Sequence, residues 1–426
     1  MQEKKINIGI GFATGRLLFQ NILKTYVNNW LEHGLIESKN LKIHIFVAYD
    51  LRYKNTNTDD YKKVPKELQN LVDSIHFYGI NEVNNEIELL AKTDNTISAD
   101  DCHLLFGEGF AKRRNILTYF AIKLNMDKLL FIDDDEYPLA TYLNRNGKLL
   151  WMGQSILSTH LQYNDNADIT HGLHCGYISP IPYIAFNNKL TENDFKLFIE
   201  ALSNDIITWD KIKQVIINQK GVTYSDENIL NNQQSNEILE TNGMKFISGA
   251  NLCFNLKNYK KFPPFYNPPG ARGEDTFMST ALTDLKVVKV PCYAFHDGFS
   301  MYNNLLNGVL PTELKPMENT SNEIFKRFVN ATIGWIRYKP LLVYITDRDN
   351  FEATMKTMED NLIYTIPKLC AYFKTEEFNK IIVEFGKYRK NVKNHFYDFE
   401  KTKSTWTRLL SKMQFNINNT IKNAHL

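Results

Sequence analysis

The 426-residue sequence holds only five cysteines, Cys102, Cys175, Cys253, Cys292 and Cys370, far apart and with no Cys-x-x-Cys pair. An odd, scattered set excludes a disulfide framework or zinc knuckle and reads as reduced cytosolic thiols. Charge of one sign is missing too: 50 Lys and Arg face 48 Asp and Glu, a net of +2. That balance speaks against nucleic-acid binding by the whole chain. No apolar run approaches the ~18–20 residues of a membrane span. Met1-Gln2-Glu3-Lys4-Lys5 leads straight into an alternating apolar stretch without the long apolar core of a signal peptide, so a cytoplasmic protein is expected. Disorder is excluded by the 43% apolar and 13% aromatic content. The length suits about two to three domains, or one large α/β domain with additions.

The near-neutral total hides a division. Residues 321–426 carry 18 Lys and Arg against 11 Asp and Glu, a net of +7, which leaves −5 for residues 1–320. The chain is an acidic body followed by a basic, aromatic-rich tail.

Periodicity organises the body. Lys5–Ile10 reads as a buried strand ending in Gly11-Phe12-Ala13-Thr14-Gly15-Arg16, and Leu18, Ile22, Tyr26 and Trp30 follow at helical spacing. Lys42–Ala48, Ser74–Tyr78 and Lys128–Ile132 are further strands, with a helix at Gly109–Leu124. Strands alternating with helices imply a parallel sheet with right-handed crossovers. Beyond it, Ala167–Ser179, Lys245–Leu256 and Val287–Ala294 read as strands, Leu190–Gln219 as helix and Glu274–Asp284 as the start of another. Tyr224–Asn242 reads as a polar loop, and about Asn322–Lys412 as mostly helix.

Four segments could carry chemistry. Asp133-Asp134-Asp135-Glu136 directly follows a short apolar strand, the place where open parallel sheets bind ligands. Adjacent carboxylates repel unless solvated or neutralised, and oxygen ligands suit Mg²⁺ or Mn²⁺. The plain alternative is a solvated acidic turn. Gly109-Phe110-Ala111-Lys112-Arg113-Arg114-Asn115 opens a helix, and helix N-termini with cations hold anions. The plain alternative is a basic helix face. Glu274-Asp275 after Gly273 is either a helix cap or a general base for a hydroxyl. His296, at a strand end before Asp297-Gly298, is either structural or a mixed metal ligand. His171 and His174 are weaker, since period 2 puts them on opposite strand faces.

In this order the segments resemble the GT-A glycosyltransferases, in particular the family-2-like group, over residues 5–300. The matching motifs are the strand and loop Ile8–Arg16, the acid after the second strand (Tyr49-Asp50), and G-x-x-x-x-R-N as Gly109–Asn115. Phe131-Ile132-Asp133-Asp134-Asp135 matches the apolar-apolar-D-x-D motif, and Glu274-Asp275 the "ED" motif. The loop Gly11–Arg16 departs from the usual family-2 sequence, and residues 190–242 exceed a minimal core.

The resemblance implies an α/β fold of the GT-A, Rossmann-like kind, a mixed sheet with flanking helices, plus a mainly helical C-terminal region. The implied domains are a catalytic one at 1–315 and a helical one at 316–426. The first has a nucleotide-binding half at 1–140 and an acceptor half at 141–315, with an insertion at 187–243. Gly11, Thr14 and Arg16 would hold the nucleotide of a UDP- or GDP-linked sugar, and Asp50 its base or ribose. Lys112 and Arg114 would act on the diphosphate, and Asp133 and Asp134 on the donor. Asp135, with Asp133 and His296, would hold Mn²⁺ or Mg²⁺. Asp275, beside Glu274, would be the base that deprotonates a glycan or lipid-linked acceptor, with inversion at the sugar carbon. The Asn-, Lys- and Ile-rich composition points to an AT-rich bacterial genome and so to surface-glycan synthesis.

Two other readings share these residues: a sugar-phosphate nucleotidyltransferase and a non-catalytic carbohydrate-binding protein. The tail cations Lys387, Arg389, Lys390, Lys393, Lys401, Lys403, Arg408 and Lys412 interleave with Phe385, Tyr388, Phe396, Tyr397, Phe399 and Trp406. They fit a peripheral membrane contact, a homodimer, or a helical domain with its aromatics turned inward.

Overall fold

The computed structural model describes residues 5–423, except 18, 53–55, 94–95, 204–207, 303–304 and 306; side chains are described for these except at 203 and 414–423. Leu18 therefore lies outside the described residues. Eleven strands are described: β1 Ile6–Thr14, β2 Leu41–Tyr49, β3 Ser74–Tyr78, β4 Lys128–Phe131, β5 Glu136–Tyr137, β6 Leu139–Leu143, β7 Leu149–Gly153, β8 Ile169–Gly176, β9 Asn236–Glu237, β10 Leu252–Asn255 and β11 Val287–His296. The helices that matter to the site are α1 Phe19–Glu32, α2 Phe110–Lys123, α3 Glu192–Ser203, α4 Glu274–Ser279, α5 Asn322–Thr346, α6 Phe351–Phe373, α7 Lys380–Lys390 and α8 Val392–Asn423.

Nine strands form one mixed sheet in the order β3-β2-β1-β4-β10-β8-β11-β5, with β9 on β11; β6 and β7 form a separate hairpin. β3, β2, β1 and β4 are parallel. β10 is antiparallel to both β4 and β8, and β8 is parallel to β11. The parallel expectation therefore holds for the first four strands. Two antiparallel pairings in succession restore the direction, so β1, β4, β8 and β11 all end at the same edge of the sheet. That edge is where the acids lie.

The central strands are apolar on both faces because helices cover both. In β1, Ile8, Ile10 and Phe12 join the core under α1, while Ala13 joins the core under α2. Gly11 is not in a loop, as expected from the sequence, but inside β1. A Cβ there would lie 3.3–3.4 Å from Leu117, Leu129 and Phe131. The missing side chain lets α2 pack close to the sheet.

Three other expectations change. Lys245–Leu256 is extended only at its end, as β10, because residues 245–251 bend across the sheet edge and bond elsewhere. Tyr224–Asn242 is not all loop: it contains the helix Glu227–Asn232, capped by Asp226, and β9. His171 and His174 do not point apart; their ring centroids are 6.2 Å apart. The β8–β11 register shifts between them, three β11 residues facing the single residue Gly172, a bulge on β11 that increases the local twist of the pair.

The helical tail is not a separate lobe. One core cluster joins Phe195, Phe198 and Leu202 of α3 to Tyr266, Phe277 of α4, and α5 to α8. Lys368 of α6 pairs with Asp194 of α3 at 2.6 Å. Trp406, Leu409 and Leu410 of α8 belong to the core under α2. The tail aromatics Phe385, Tyr388, Phe399 and Trp406 are buried, while Tyr397 is exposed. Several tail cations are spent within the chain: Arg389 on Glu352 and Glu359, Lys401 and Arg408 on Asp101. No helix among the described residues is long and apolar enough to cross a membrane.

Candidate functional site

A cleft of about 2070 Å³ opens at the edge where β1, β4 and β11 end. Asp133, Asp134, Asp135, Glu274, Asp275 and His296 all line it. Segments far apart in sequence are thus brought together, because three parallel strands terminate at one edge and α4 starts beside it.

The three adjacent acids have different partners, and their charges are set accordingly. Asp133 Oδ1 accepts from Arg114 Nη2 at 3.0 Å. Burial pushes its carboxyl up to about 6 despite that arginine. Asp134 Oδ2 accepts from the Thr14 hydroxyl at 2.5 Å. Its carboxyl is pushed up to about 7 by burial and by neighbouring Asp135. Asp135 accepts from Arg16 Nη1 at 2.5 Å and faces His296 Nε2 at 3.4 Å. Burial opposes its ionisation, but His296, Arg16 and Arg327 outweigh burial and hold it at about 2. Asp135 is therefore the firmly ionised member of the run.

Arg114 and Asn115, on the first turns of α2, reach the second acid motif and the loop before it, respectively. Arg114 is 3% exposed; besides Asp133 it meets Glu274 through Nε at 3.5 Å and donates to the Gly249 carbonyl. A Cβ on Gly249 would strike the guanidinium at 2.6 Å, so glycine is needed there. Asn115 accepts from Phe265 N at 2.8 Å and donates to Phe265 O at 2.9 Å. The R-N pair thus joins the two acid motifs and pins the loop between them.

Asp275 sits in the first turn of α4, whose N-cap Gly273 has φ +85°. The positive φ favours glycine, and a Cβ there would also crowd Tyr338 of α5 at 3.2 Å. Asp275 Oδ1 accepts from Thr276 N at 2.8 Å. Burial and neighbouring Glu274 push its carboxyl up to about 7. A carboxylate poised near neutrality within a cleft has the properties of a general base.

The remaining predicted residues are placed less directly. Asp50 ends β2 as expected but pairs with Arg113 and is not part of the cleft lining. Thr14 is not part of the cleft lining; its hydroxyl donates to Asp134 and accepts from Arg16 N at 3.0 Å. Lys112 lines the cleft, but its Nζ donates to His103 O at 2.5 Å.

Asp135 and His296 fit a divalent cation in one respect. His296 Nδ1 is 2.7 Å from the Tyr177 carbonyl. A carbonyl only accepts, so Nδ1 carries a proton and Nε2 is the atom presented to Asp135. Metal-binding histidines are oriented by such a bond on the far nitrogen. The third expected ligand, Asp133, is turned to Arg114. Among the described residues no group of three or more His, Cys, Asp and Glu is placed to hold a metal ion.

One wall of the cleft was missed in the sequence. Lys326, Arg327, Asn330, Gly334, Trp335 and Tyr338 of α5 line it. Lys326, Asn330, Gly334 and Tyr338 recur every fourth residue, a stripe on one helix face. That stripe, polar and interrupted by a glycine in a long helix, was the available signal.

No protein-family model matches the chain, and no curated protein sequence is similar to it. The functional reading therefore rests on the site itself.

Proposed function

We propose that the chain is a glycosyltransferase of the GT-A kind. It would move a sugar from a nucleotide-linked donor to a hydroxyl of a glycan or lipid-linked acceptor. The observation that carries this reading is the pairing of two acid motifs through one arginine: Asp133 and Glu274 both meet Arg114, at 3.0 and 3.5 Å, within one cleft at the sheet edge. One motif presents an ionised Asp135 beside His296; the other presents Asp275 as a base.

Asp135 and His296 would hold Mn²⁺ or Mg²⁺, which would supply positive charge to the diphosphate oxygens of the donor. Asp275 takes the proton of the acceptor hydroxyl on one carboxylate oxygen. The acceptor oxygen forms its bond to the sugar C1 as the bond from C1 to the phosphate oxygen breaks. The electron pair of that bond leaves with the nucleoside diphosphate. Arg114, held by Asp133, Glu274 and the Gly249 carbonyl, would fix the relative position of Asp133 and the Asp275 turn. A single base facing a single leaving group gives displacement with inversion.

Purified protein with a panel of nucleotide sugars, an acceptor mixture and either Mn²⁺, Mg²⁺ or chelator is expected to release nucleoside diphosphate. NMR of the product is expected to show inversion. A product that retains the donor configuration would remove Asp275 from the role of base.

A further inference from the structure

One helix of the basic tail has an outer face that the packing beneath it does not account for. α7 buries Ile381, Phe385 and Tyr388 against the chain. Lys380, Val383, Gly386, Lys387 and Lys390 are exposed. At about 100° per residue these five fall within roughly a third of the helix circumference, away from the buried three. No acid lies on that arc. Glu384, the one acid of α7, is turned to Arg337 at 2.7 Å. Among the described residues none of the three lysines is paired with a carboxylate, nor are the exposed Lys374 before the helix and Lys393 after it.

The plain alternative is a solvated basic face. Such faces intersperse charges of both signs, as elsewhere on the tail, where Lys356 pairs with Asp360 and Lys403 with Glu400, both at 2.8 Å. The α7 face carries one sign only, around an apolar side chain, Val383, that is 68% exposed. Among the described residues seven large apolar side chains are more than half exposed, and four of them, Ile363, Tyr364, Val383 and Tyr397, belong to α6, α7 and α8. Lysines around apolar side chains suit the boundary of a bilayer, where the apolar group enters the acyl region and the ammonium groups meet lipid phosphates. A soluble polyanion would engage the lysines and leave Val383 in water.

The inner face of the same helix holds the rim of the cleft. The Tyr388 hydroxyl donates to the Pro269 carbonyl, and Arg337, held by Glu384, donates to the Gly270 carbonyl at 2.9 Å. Pro269, Gly270 and Arg337 all line the cleft. We propose that the outer face of α7 docks on a bilayer that carries anionic lipid. A bilayer seated there lies one helix diameter, about 10 Å, from the cleft rim. The proposal goes beyond the reading of the cleft and does not rest on it.

Flotation of the full chain with vesicles of phosphatidylcholine alone, or of phosphatidylcholine with about a third phosphatidylglycerol, tests it. The chain is expected to float with the mixed vesicles and not with phosphatidylcholine. It is expected to be released as salt rises from about 0.05 to 0.5 M and screening shortens. Lys380→Gln, Lys387→Gln and Lys390→Gln together are expected to lower affinity about a hundredfold, roughly fivefold for each lysine. Val383→Asp alone is expected to weaken binding as well. Lys39→Gln, Lys63→Gln and Lys66→Gln together, at exposed lysines of the body, change the net charge equally and are expected to leave flotation unchanged. Unchanged binding by the α7 triple variant, an equal loss in both triple variants, or no flotation of the wild-type chain overturns the proposal. Retention on heparin without flotation overturns it too, because the partner would then be a soluble polyanion. None of these readouts requires turnover of a nucleotide sugar, so failure here leaves the reading of the cleft standing.

Discussion

Arg114 Nη2 lies 3.0 Å from Asp133 Oδ1, and both residues line the same cleft. Through its Nε the same guanidinium meets Glu274, one residue before the proposed base. A buried arginine between two acid motifs makes their separation a property of the fold and not of loop motion. Burial opposes the charge on Arg114, but Asp133, Glu274 and Asp275 outweigh it and raise its hold on the proton. Arg114→Met leaves buried carboxylates unpaired and is expected to cost about 3–5 kcal/mol of stability. Arg114→Lys keeps the charge without the fork, so it should regain part of the stability and little of the activity. Urea unfolding alongside nucleotide-release assays checks this; unchanged stability in Arg114→Met would contradict it.

The base sets a pH limb. Asp275 is pushed up to about 7 by burial and by Glu274. It acts only when ionised, so kcat/KM should fall as pH drops through about 7, with a slope of one proton. Asp275→Asn should abolish transfer at every pH while leaving donor binding intact. A pH–rate profile on wild type, with binding isotherms on the variant, decides it.

Asp134 makes a stability prediction with the opposite sense to an ordinary paired carboxylate. Its folded-state value of about 7 lies above the usual 3.8. Between those values the folded chain keeps a proton that the unfolded chain has lost. Stability contributed by this group therefore falls as pH rises through that window. Asp134→Asn removes the dependence, so relative to wild type it should be more stable at pH 8 than at pH 5. Thermal melts at the two pH values give the sign directly.

The helical tail should prove inseparable from the body. Trp406 is 1% exposed, and its indole N–H donates to the Phe262 carbonyl at 2.9 Å, on the loop that leads to the Asp275 turn. Trp406→Ala should cost about 3–5 kcal/mol, as for other buried large-to-small changes. A cost below 1 kcal/mol would show that α8 is only docked on the surface.

Much of the body is written in local patterns. Lys42–Ala48, Ser74–Tyr78, Lys128–Ile132 and Val287–Ala294 all fall within a few residues of the strands formed, because fully apolar or alternating runs between turns admit few other conformations. Each acid motif was legible because it follows a strand or opens a helix. Which acid meets which cation was not. Arg114 had the composition of an anion site at a helix start, but its actual partners are 19, 135 and 160 residues away in sequence. Gly11 looked like loop because glycine marks turns, whereas here it admits Leu117 and Phe131. The α5 wall was hidden for a related reason. A helix packed in a core and a helix lining a cleft share the same period, and only tertiary packing tells which polar stripe faces the site.

The most direct measurement is nucleoside diphosphate release from a nucleotide-sugar panel by wild type and Asp275→Asn, with Mn²⁺ or Mg²⁺ and with chelator. Acceptor-dependent release by wild type, dependent on the cation and lost in Asp275→Asn, is the predicted result. Release by neither protein with any donor, or equal release by both, would contradict it.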